Sequence, residues 1–361
     1  MTWLTTEGKR APHRARVESA GRMLPDARLT TAELMASTRH RTKIDLERLT
    51  GIRERRVSDR EESSLVLAIG AAEDCLQRSH HGAEDLDAVL SCSISKSQDG
   101  DEQWMEPTMA SAVAAAIGAR NAVTFDVSNA CAGMLTGVFI LNDWIRLGVV
   151  RNGLVVSGEH ISRLGHNAAG HIRSILSREL ASLTLGDAGS ALLLEQADHD
   201  SPGIDFAGFT TLADHSRLCL AHPAAHEPGA RMFTKSRAIH RAAIAATPGL
   251  LREALDGAGL EIGDVDFVIP HQTSARAIRK GMAVVTEAIG GAPRHGAVVT
   301  VDRYGNTAST THTVALVEEL RAGRIRAGDR IALIALASGI EIGVVLLTLD
   351  EEMVARHGND D

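Results

Sequence analysis

The stretch Asp126-Val127-Ser128-Asn129-Ala130-Cys131-Ala132-Gly133 decides how the rest of the chain is read. It puts a cysteine where a short apolar strand, predicted over Ala122–Val127, hands over to a long, nearly all-round apolar helix predicted over Cys131–Leu147 and stopped at Gly148. The unpaired N–H groups and positive dipole end of such a helix favour thiolate over thiol. The expectation is a cysteine below its ordinary pKa of about 8.5. Read alone, this stretch leaves a buried cysteine that merely packs as the alternative.

Two other segments change that balance. Phe267-Val268-Ile269-Pro270-His271-Gln272 is an apolar strand that ends in proline and then histidine, with a helix following from about Ser274. Between Asp302 and Ser309 a turn delivers Asn306 to the head of another apolar helix. A single histidine at a strand end is ordinarily structural. Three polar residues, each at the C-terminal end of a strand and ahead of a helix, point to one common site. Together they resemble the Cys-His-Asn triad of the thiolase superfamily, and specifically of the ketoacyl-acyl-carrier-protein synthase III family.

The resemblance runs in the correct order from about Arg16 to Leu349. Gly51-Ile52-Arg53-Glu54-Arg55-Arg56 is similar to the family's early signature, Leu185–Ser190 to its mid-chain Gly-Asp-Ala-Gly turn, and Ala337–Gly343 to its C-terminal glycine-rich hairpin. It implies an α/β chain in a thiolase-like five-layer αβαβα fold, built from two pseudo-equivalent halves and working as a homodimer.

Composition agrees with a cytoplasmic enzyme. The 361 residues, 44% hydrophobic and 23% charged, suffice for one large or two medium cores. The four cysteines, Cys75, Cys92, Cys131 and Cys219, show no C-x-x-C or Cys/His ligand spacing, so neither a disulfide framework nor a metal is expected. Cys75 and Cys92 read as core fillers. The polar, basic N-terminal stretch lacks the apolar run of a secretory signal. Ile331–Leu349 approaches transmembrane length, but Ala337-Ser338-Gly339 at its centre and its β-branched content predict two buried strands and a tight turn. No membrane or nucleic-acid partner is expected, and the absence of a G-x-G-x-x-G or other phosphate loop argues against nucleotide use.

Strand and helix signals alternate throughout. Strands are predicted near Ala88–Ser93, Gly153–Ser157, Ala191–Glu195, Val265–Pro270 and Gly296–Val301, and helices over Glu61–His80, Met109–Ala116, Ser236–Gly257, Ser274–Ile289 and Ser309–Ala322. The polar link Ala197–Pro202 divides an N-terminal half, residues 1–196 with the cysteine, from a C-terminal half, residues 203–361 with the histidine and asparagine.

The resemblance assigns the roles. Cys131 attacks an acyl thioester and holds the acyl group. The backbone N–H groups of Cys131 and Gly339 form the oxyanion hole, a turn glycine being suited to bring bare backbone against substrate. His271 and Asn306 hold the second substrate's thioester oxygen and stabilise its enolate. No cofactor is implied beyond acyl thioesters on the phosphopantetheine of an acyl carrier protein, or on coenzyme A.

Glu106 divides the candidate reactions. Ordinary fatty-acid-starting members carry an apolar residue before the proline matched by Pro107, reaching the partner subunit's acyl pocket. A carboxylate there would have a raised pKa and could remove an α-proton from a second acyl thioester. This resembles head-to-head condensing members of olefin, dialkylresorcinol and α-pyrone biosynthesis. Helix chemistry alone offers a different role, a carboxylate capping the Met109 helix. The rival reactions are decarboxylative condensation with malonyl-carrier protein and acyl transfer to an alcohol or amine; a silent subunit would have no reason to retain all three triad residues.

The delivery vehicle follows from matched and missing positions. The family's adenine-stacking tryptophan and neighbouring arginine fall on Asp45 and Leu49, which disfavours coenzyme A. Arg163 matches an arginine near the pantetheine entrance. Arg276 matches the carrier-docking arginine, and Arg279 and Lys280 extend its basic face locally, in a chain of net charge −8. Asp126, Ser128, Asn129 and Asp187 read as structural turn residues. Ile161–Ser182, longer than its family counterpart, is expected to cover the tunnel entrance.

Overall fold

Apolar strands alternating with apolar helices assemble into two five-stranded mixed sheets, with helices between them and on both outer faces. The architecture is that of a computed structural model describing residues 4–5, 12–59, 61–99, 102–227 and 229–358. The first sheet comprises β1 (Arg14–Met23), β2 (Ala88–Ser91), β3 (Val123–Asp126), β4 (Asn152–Glu159) and β5 (Ala188–Ala197), in spatial order β1-β5-β4-β2-β3. The next strand in the chain, β6 (Ile204–Thr211), opens the second sheet. A separate hairpin follows, β7 (Cys219–Pro223) and β8 (Ala230–Thr234). The second sheet is completed by β9 (Phe267–Pro270), β10 (Arg330–Ala337) and β11 (Glu341–Thr348), in order β6-β11-β10-β9 with Leu4–Thr5 paired outside β6.

The two sheets repeat one scheme. In each, an antiparallel trio leads into parallel pairing: β4 with β2, and β2 with β3, in one, and β10 with β9 in the other. The predicted strand Gly296–Val301 stands where β3 stands in the first sheet, but is reduced to one parallel bridge between Ala297 and Val268. It then bends into a helical turn at Val301–Tyr304, because Gln272 Oε1 accepts the Thr300 and Val301 N–H groups that a continuing strand would offer its neighbour.

Helices α1 (Ser64–Gln77) and α2 (Met109–Ile117) cover the outer face of the first sheet, and α5 (Ser236–Ala258) with α6 (Ala275–Ile289) that of the second; α3 (Gly133–Arg146) and α7 (Thr311–Arg321) lie between the sheets, while α4 (Ser162–His171) sits near the hairpin. This is the five-layer αβαβα arrangement. A helix apolar on one stripe covers a sheet; one apolar on nearly every side must be enclosed. α3 buries Met134, Leu135, Val138, Phe139, Leu141 and Ile145 in a core shared with α7 and both sheets. The apolar stretch Ile331–Leu349 is the β10–β11 hairpin, as predicted, and among the described residues no helix is long and apolar enough to cross a membrane.

The outer layer is closed by two facing glycines. Gly158 on β4 pairs with Gly189 on β5, and a Cβ on them would lie 1.9 Å from Ser64 O and from Leu67 O of α1. The helix backbone therefore rests directly on the strands. Cys75 and Cys92 are buried core residues, as expected. Gly158→Ala must push α1 off the sheet or bend β4; a loss of about 1–3 kcal/mol or more is expected, read as a lower urea midpoint at unchanged m-value. A wild-type midpoint would show that α1 withdraws freely.

Candidate active site

β3 ends at Asp126, and the chain passes through Ala130–Ala132, a single tight turn, before α3 begins at Gly133. Cys131 thus precedes the helix instead of opening it. Ala130 takes a φ of +44°, an unfavourable region for a residue with a Cβ, and the turn is held by the Ala132 N–H to Asn129 O bond. Asp126 and Asn129 are structural, as predicted. The Asp126 carboxylate accepts the Met109 and Ala110 N–H groups at 3.3 and 2.9 Å and pairs with Lys96 Nζ at 2.7 Å; Asn129 Nδ2 donates to Thr136.

The thiol itself departs from the expectation of a lowered pKa. Burial pushes Cys131 up to about 12, and the Glu159 carboxylate and Cys219 thiol add to the rise, while the N–H groups of Ser338 and Cys131 oppose it. Desolvation of the charged form outweighs what the helix end offers, since α3 starts two residues later. Near neutral pH Cys131 is therefore held as a neutral thiol.

The other two triad residues come to the same end of the molecule through β10. His271 follows β9 and donates its backbone N–H to Ile334 O on β10 at 2.9 Å; the turn carrying Cys131 packs against β10 and against the turn Ala308–Thr310 that follows Asn306. Cys131 and Ala308 share an apolar cluster with Ile161, Leu164, Leu185 and Met232. Asn306 is pinned by its backbone to Thr184 O and Gly186 N, and its Oδ1 accepts the Ala308 N–H at 3.0 Å. That bond orients the carboxamide and leaves its Nδ2 donors without a protein partner among the described residues.

His271 is buried with Nδ1 unpartnered, and burial with His312 and His240 nearby lowers its pKa to about 3. The imidazole is neutral and can act as a hydrogen-bond donor without carrying charge. On the far side of the site, Gly339 lies in the β10–β11 turn with φ of +92°, followed by Ile340 at +51°. The Ser338 N–H, next to Gly339, is among the groups that oppose the rise of the Cys131 pKa.

Two residues of this site escaped sequence reasoning. Glu159, at the end of β4, is wholly buried and accepts hydrogen bonds from Ile94 N, Ser95 N, Ser95 Oγ and Ser309 Oγ. His312, on α7, donates Nε2–H to Ile334 O at 3.0 Å and is pushed down to about 4 by burial, its ring 6.0 Å from that of His271. Glu159 lies two residues beyond the predicted strand end at Ser157, and His312 lies inside the α7 sequence; a polar residue next to or within an apolar run was the available signal. Asp187, read as a turn residue, accepts Ser58, Ile161 and Ser162 N–H groups.

The segment 161–182 lies over this end, clamped to the β7–β8 hairpin. Asn167 Nδ2 donates to Ala230 O, and Arg231 makes a two-point ion pair with Glu179 at 2.8 and 2.9 Å. Leu164 and Met232, one from each part, pack beside Cys131. Arg163 lies on α4 within this cover, while Arg276, Arg279 and Lys280 are exposed along α6. A surface groove of ≈ 730 Å³ beside α6 is lined by Asp45, Glu47, Arg53, Arg279 and Asp302, with Asp45 capping the helix Leu46–Thr50.

Glu106 is exposed. It does not cap the Met109 helix: Thr108 is the N-cap, its Oγ1 accepting Ser111 N–H, and Asp126 takes the Met109 and Ala110 N–H groups. The adjacent Met105 is 92% exposed and Trp104 also lies open.

The two buried histidines give stability a pH dependence of known sign. Both bind a proton less readily folded than at the ordinary value of 6.5, so their contribution is full above about pH 6.5 and is lost as pH falls towards 4 and 3. His271→Asn should shrink the drop in thermal midpoint between pH 7.5 and 5; an unchanged drop would show that His271 charges without cost in the folded chain.

Comparison with known proteins agrees with this geometry. Residues 125–214 match the family 3-oxoacyl-[acyl-carrier-protein (ACP)] synthase III, and residues 255–349 its C-terminal counterpart. The chain is 30% identical over 345 residues to the β-ketoacyl-[acyl-carrier-protein] synthase III of Desulfitobacterium hafniense, covering 92% of this chain and 96% of that one. The crystal structure of 3-oxoacyl-[acyl-carrier-protein] synthase III from Aquifex aeolicus superposes with a TM-score of 0.78 at 26% identity, over 92% of this chain and 99% of that one. In fold alone, OleA of Xanthomonas campestris is similar at a TM-score of 0.82 and 22% identity, over 94% of this chain and 100% of that one. With its cysteine, histidine and asparagine gathered at one end of a five-layer fold, the chain belongs to the 3-oxoacyl-[acyl-carrier-protein] synthase III family, acyltransferases that form carbon–carbon bonds on acyl thioesters.

Proposed function

We propose that this chain joins two acyl thioesters by non-decarboxylative Claisen condensation in secondary metabolism of the polyketide, α-pyrone or resorcinol type, with Cys131, His271 and Asn306 as the core and Glu106 as the α-proton base. The observation that carries the reading is the state of Glu106. It has no hydrogen-bond partner among the described residues, the helix beside it is capped by other groups, and it follows two exposed large apolar side chains, Trp104 and Met105. Such a segment is suited to burial against a second subunit, where a carboxylate becomes a stronger base. The edge strand β3 supports a homodimer in the same direction: among the described residues it pairs only with β2, and it exposes Val123 to 59%.

The chemistry then follows in two stages. The Cys131 sulfur attacks the carbonyl of the first thioester; its proton passes to the departing phosphopantetheine thiolate, and the Cys131 and turn amides at 338–339 hold the oxyanion. Glu106 of the partner then removes an α-proton from the second thioester. His271 N–H and the Asn306 carboxamide stabilise the enolate oxygen, and the α-carbon attacks the Cys131-bound acyl group, releasing the thiolate and a β-ketoacyl thioester. The exposed Arg276, Arg279 and Lys280 supply a basic face for an acidic carrier protein, which fits a reaction carried out in the cytoplasm. The mixed charge of the groove at Asp45 and Glu47 is less suited to a nucleotide phosphate.

Decarboxylative elongation with malonyl-carrier protein is the second reading, favoured by the name of the Desulfitobacterium relative, a β-ketoacyl synthase. Intact-protein mass spectrometry separates the two with medium-chain acyl and β-ketoacyl carrier-protein thioesters and no malonate. Wild type and Glu106→Ala should both acylate Cys131, while release of the two-chain product falls about 10²- to 10⁴-fold in the variant. Product formed by neither protein until malonyl-carrier protein is added would transfer the assignment to decarboxylation.

Docking is tested separately. Arg276→Glu should raise KM for the carrier-protein thioester roughly tenfold, an effect that shrinks at high salt, and leave turnover of a free pantetheine thioester unchanged. Equal losses on both substrates would remove α6 from the docking surface.

A further inference from the structure

At the opposite end of the first sheet from Cys131, the turn after α1 brings two consecutive histidines against the end of β5. His81 Nε2 lies 2.8 Å and His80 Nε2 3.2 Å from Glu195 Oε2, and the ligand atoms of all three lie within 4.8 Å of one another. The imidazole ring centroids lie 4.1 Å apart with the rings tilted by 38°. Two imidazole nitrogens converge on one carboxylate oxygen at 2.8 and 3.2 Å, near the edge of a tetrahedral zinc site, roughly 3.4 Å for bonds of about 2.0–2.2 Å.

The surroundings are arranged as an outer shell. His80 Nδ1 lies 3.0 Å from Glu18 Oε1, a carboxylate buried on β1 that also accepts the His80 backbone N–H. Arg356 Nη2 lies 3.1 Å from the same Nδ1; a metal on Nε2 would put the ring proton on Nδ1 and turn it to Glu18, where a carboxylate on the distal nitrogen strengthens the metal-bound one. Arg16 Nε donates to Glu195 Oε1 at 2.7 Å and so aims Oε2 at the histidines. Glu18 Oε2 is buried without a partner. The connected ring holds four carboxylates, Glu18, Glu195, Asp350 and Glu352, against two guanidinium groups, Arg16 and Arg356. The His80 side chain is 48% exposed, which leaves a face for water as a fourth ligand.

We propose that His80, His81 and Glu195 form a divalent transition-metal site of the zinc class that ties the end of α1 to β5 and has no part in condensation. Sequence spacing does not disclose it, because two ligands are adjacent and the third is 114 residues away. Imidazole and carboxylate donors suit zinc and its neighbours and are poorly suited to magnesium or calcium.

The test uses the full chain in a Cys131→Ala background, stripped with chelator and titrated with zinc chloride by calorimetry, with cobalt substitution read by visible absorption. One zinc per chain is expected, with a higher thermal midpoint and cobalt bands free of thiolate charge transfer. His80→Gln and His81→Gln, both accessible residues, should each weaken zinc binding at least about a hundredfold while far-UV circular dichroism is retained. Absence of saturable binding, thiolate bands, or unchanged affinity in the folded His81→Gln variant would overturn the proposal.

Discussion

A carboxylate buried to zero exposure is the constraint around which the site is built. Glu159 ends β4 behind Cys131, and burial raises its pKa against the hydrogen bonds that hold it. Removing such a group from water is tolerable only where donors surround it. They come from both halves of the chain: Ile94 and Ser95 from the loop after β2, and Ser309 from the turn after Asn306. Satisfying Glu159 therefore draws the loop after β2 and the asparagine turn together. Its charge also helps keep the Cys131 thiol protonated until a substrate provides somewhere for the proton to go.

The electrostatic character that results is that of a dry site made of neutral groups. Cys131 is held up, and His271 and His312 are held down, all three chiefly by burial. In such surroundings a developing oxyanion or enolate is stabilised mainly by oriented N–H donors, and each counts for more than it would in water. The backbone is adapted accordingly. Ala130, Ala308 and Ile340 all take positive φ, and each lies within two residues of Cys131, Asn306 or Gly339.

The fold was largely legible from pattern. The all-round apolar run after Cys131 required an enclosed helix, and α3 is one; the paired β-branched runs around Ser338-Gly339 required a hairpin and form β10–β11. Where pattern failed, a local hydrogen-bond competition decided the outcome. Gln272 captures the N–H groups of Thr300 and Val301 and ends the predicted strand there. β1 and the β7–β8 hairpin were missed because Arg14, Arg16, Glu18, Arg22 and Arg231 interrupt their alternation, and each of these charges is held by an ion pair made elsewhere in the fold.

The sequence by itself determined which residues are the candidates for chemistry and in what order, since a cysteine, a histidine and an asparagine at successive strand-to-helix junctions follow from local pattern. Protonation was decided by tertiary structure alone. The same Cys131 at a helix start would be a thiolate in an open turn and is a thiol here, because desolvation depends on every chain segment that closes over the sulfur. Glu106 shows the same division: its place before Pro107 is a fact of sequence, whereas its freedom from the α2 terminus exists only because Asp126, seventeen and sixteen residues from the N–H groups it accepts, folds back to take them.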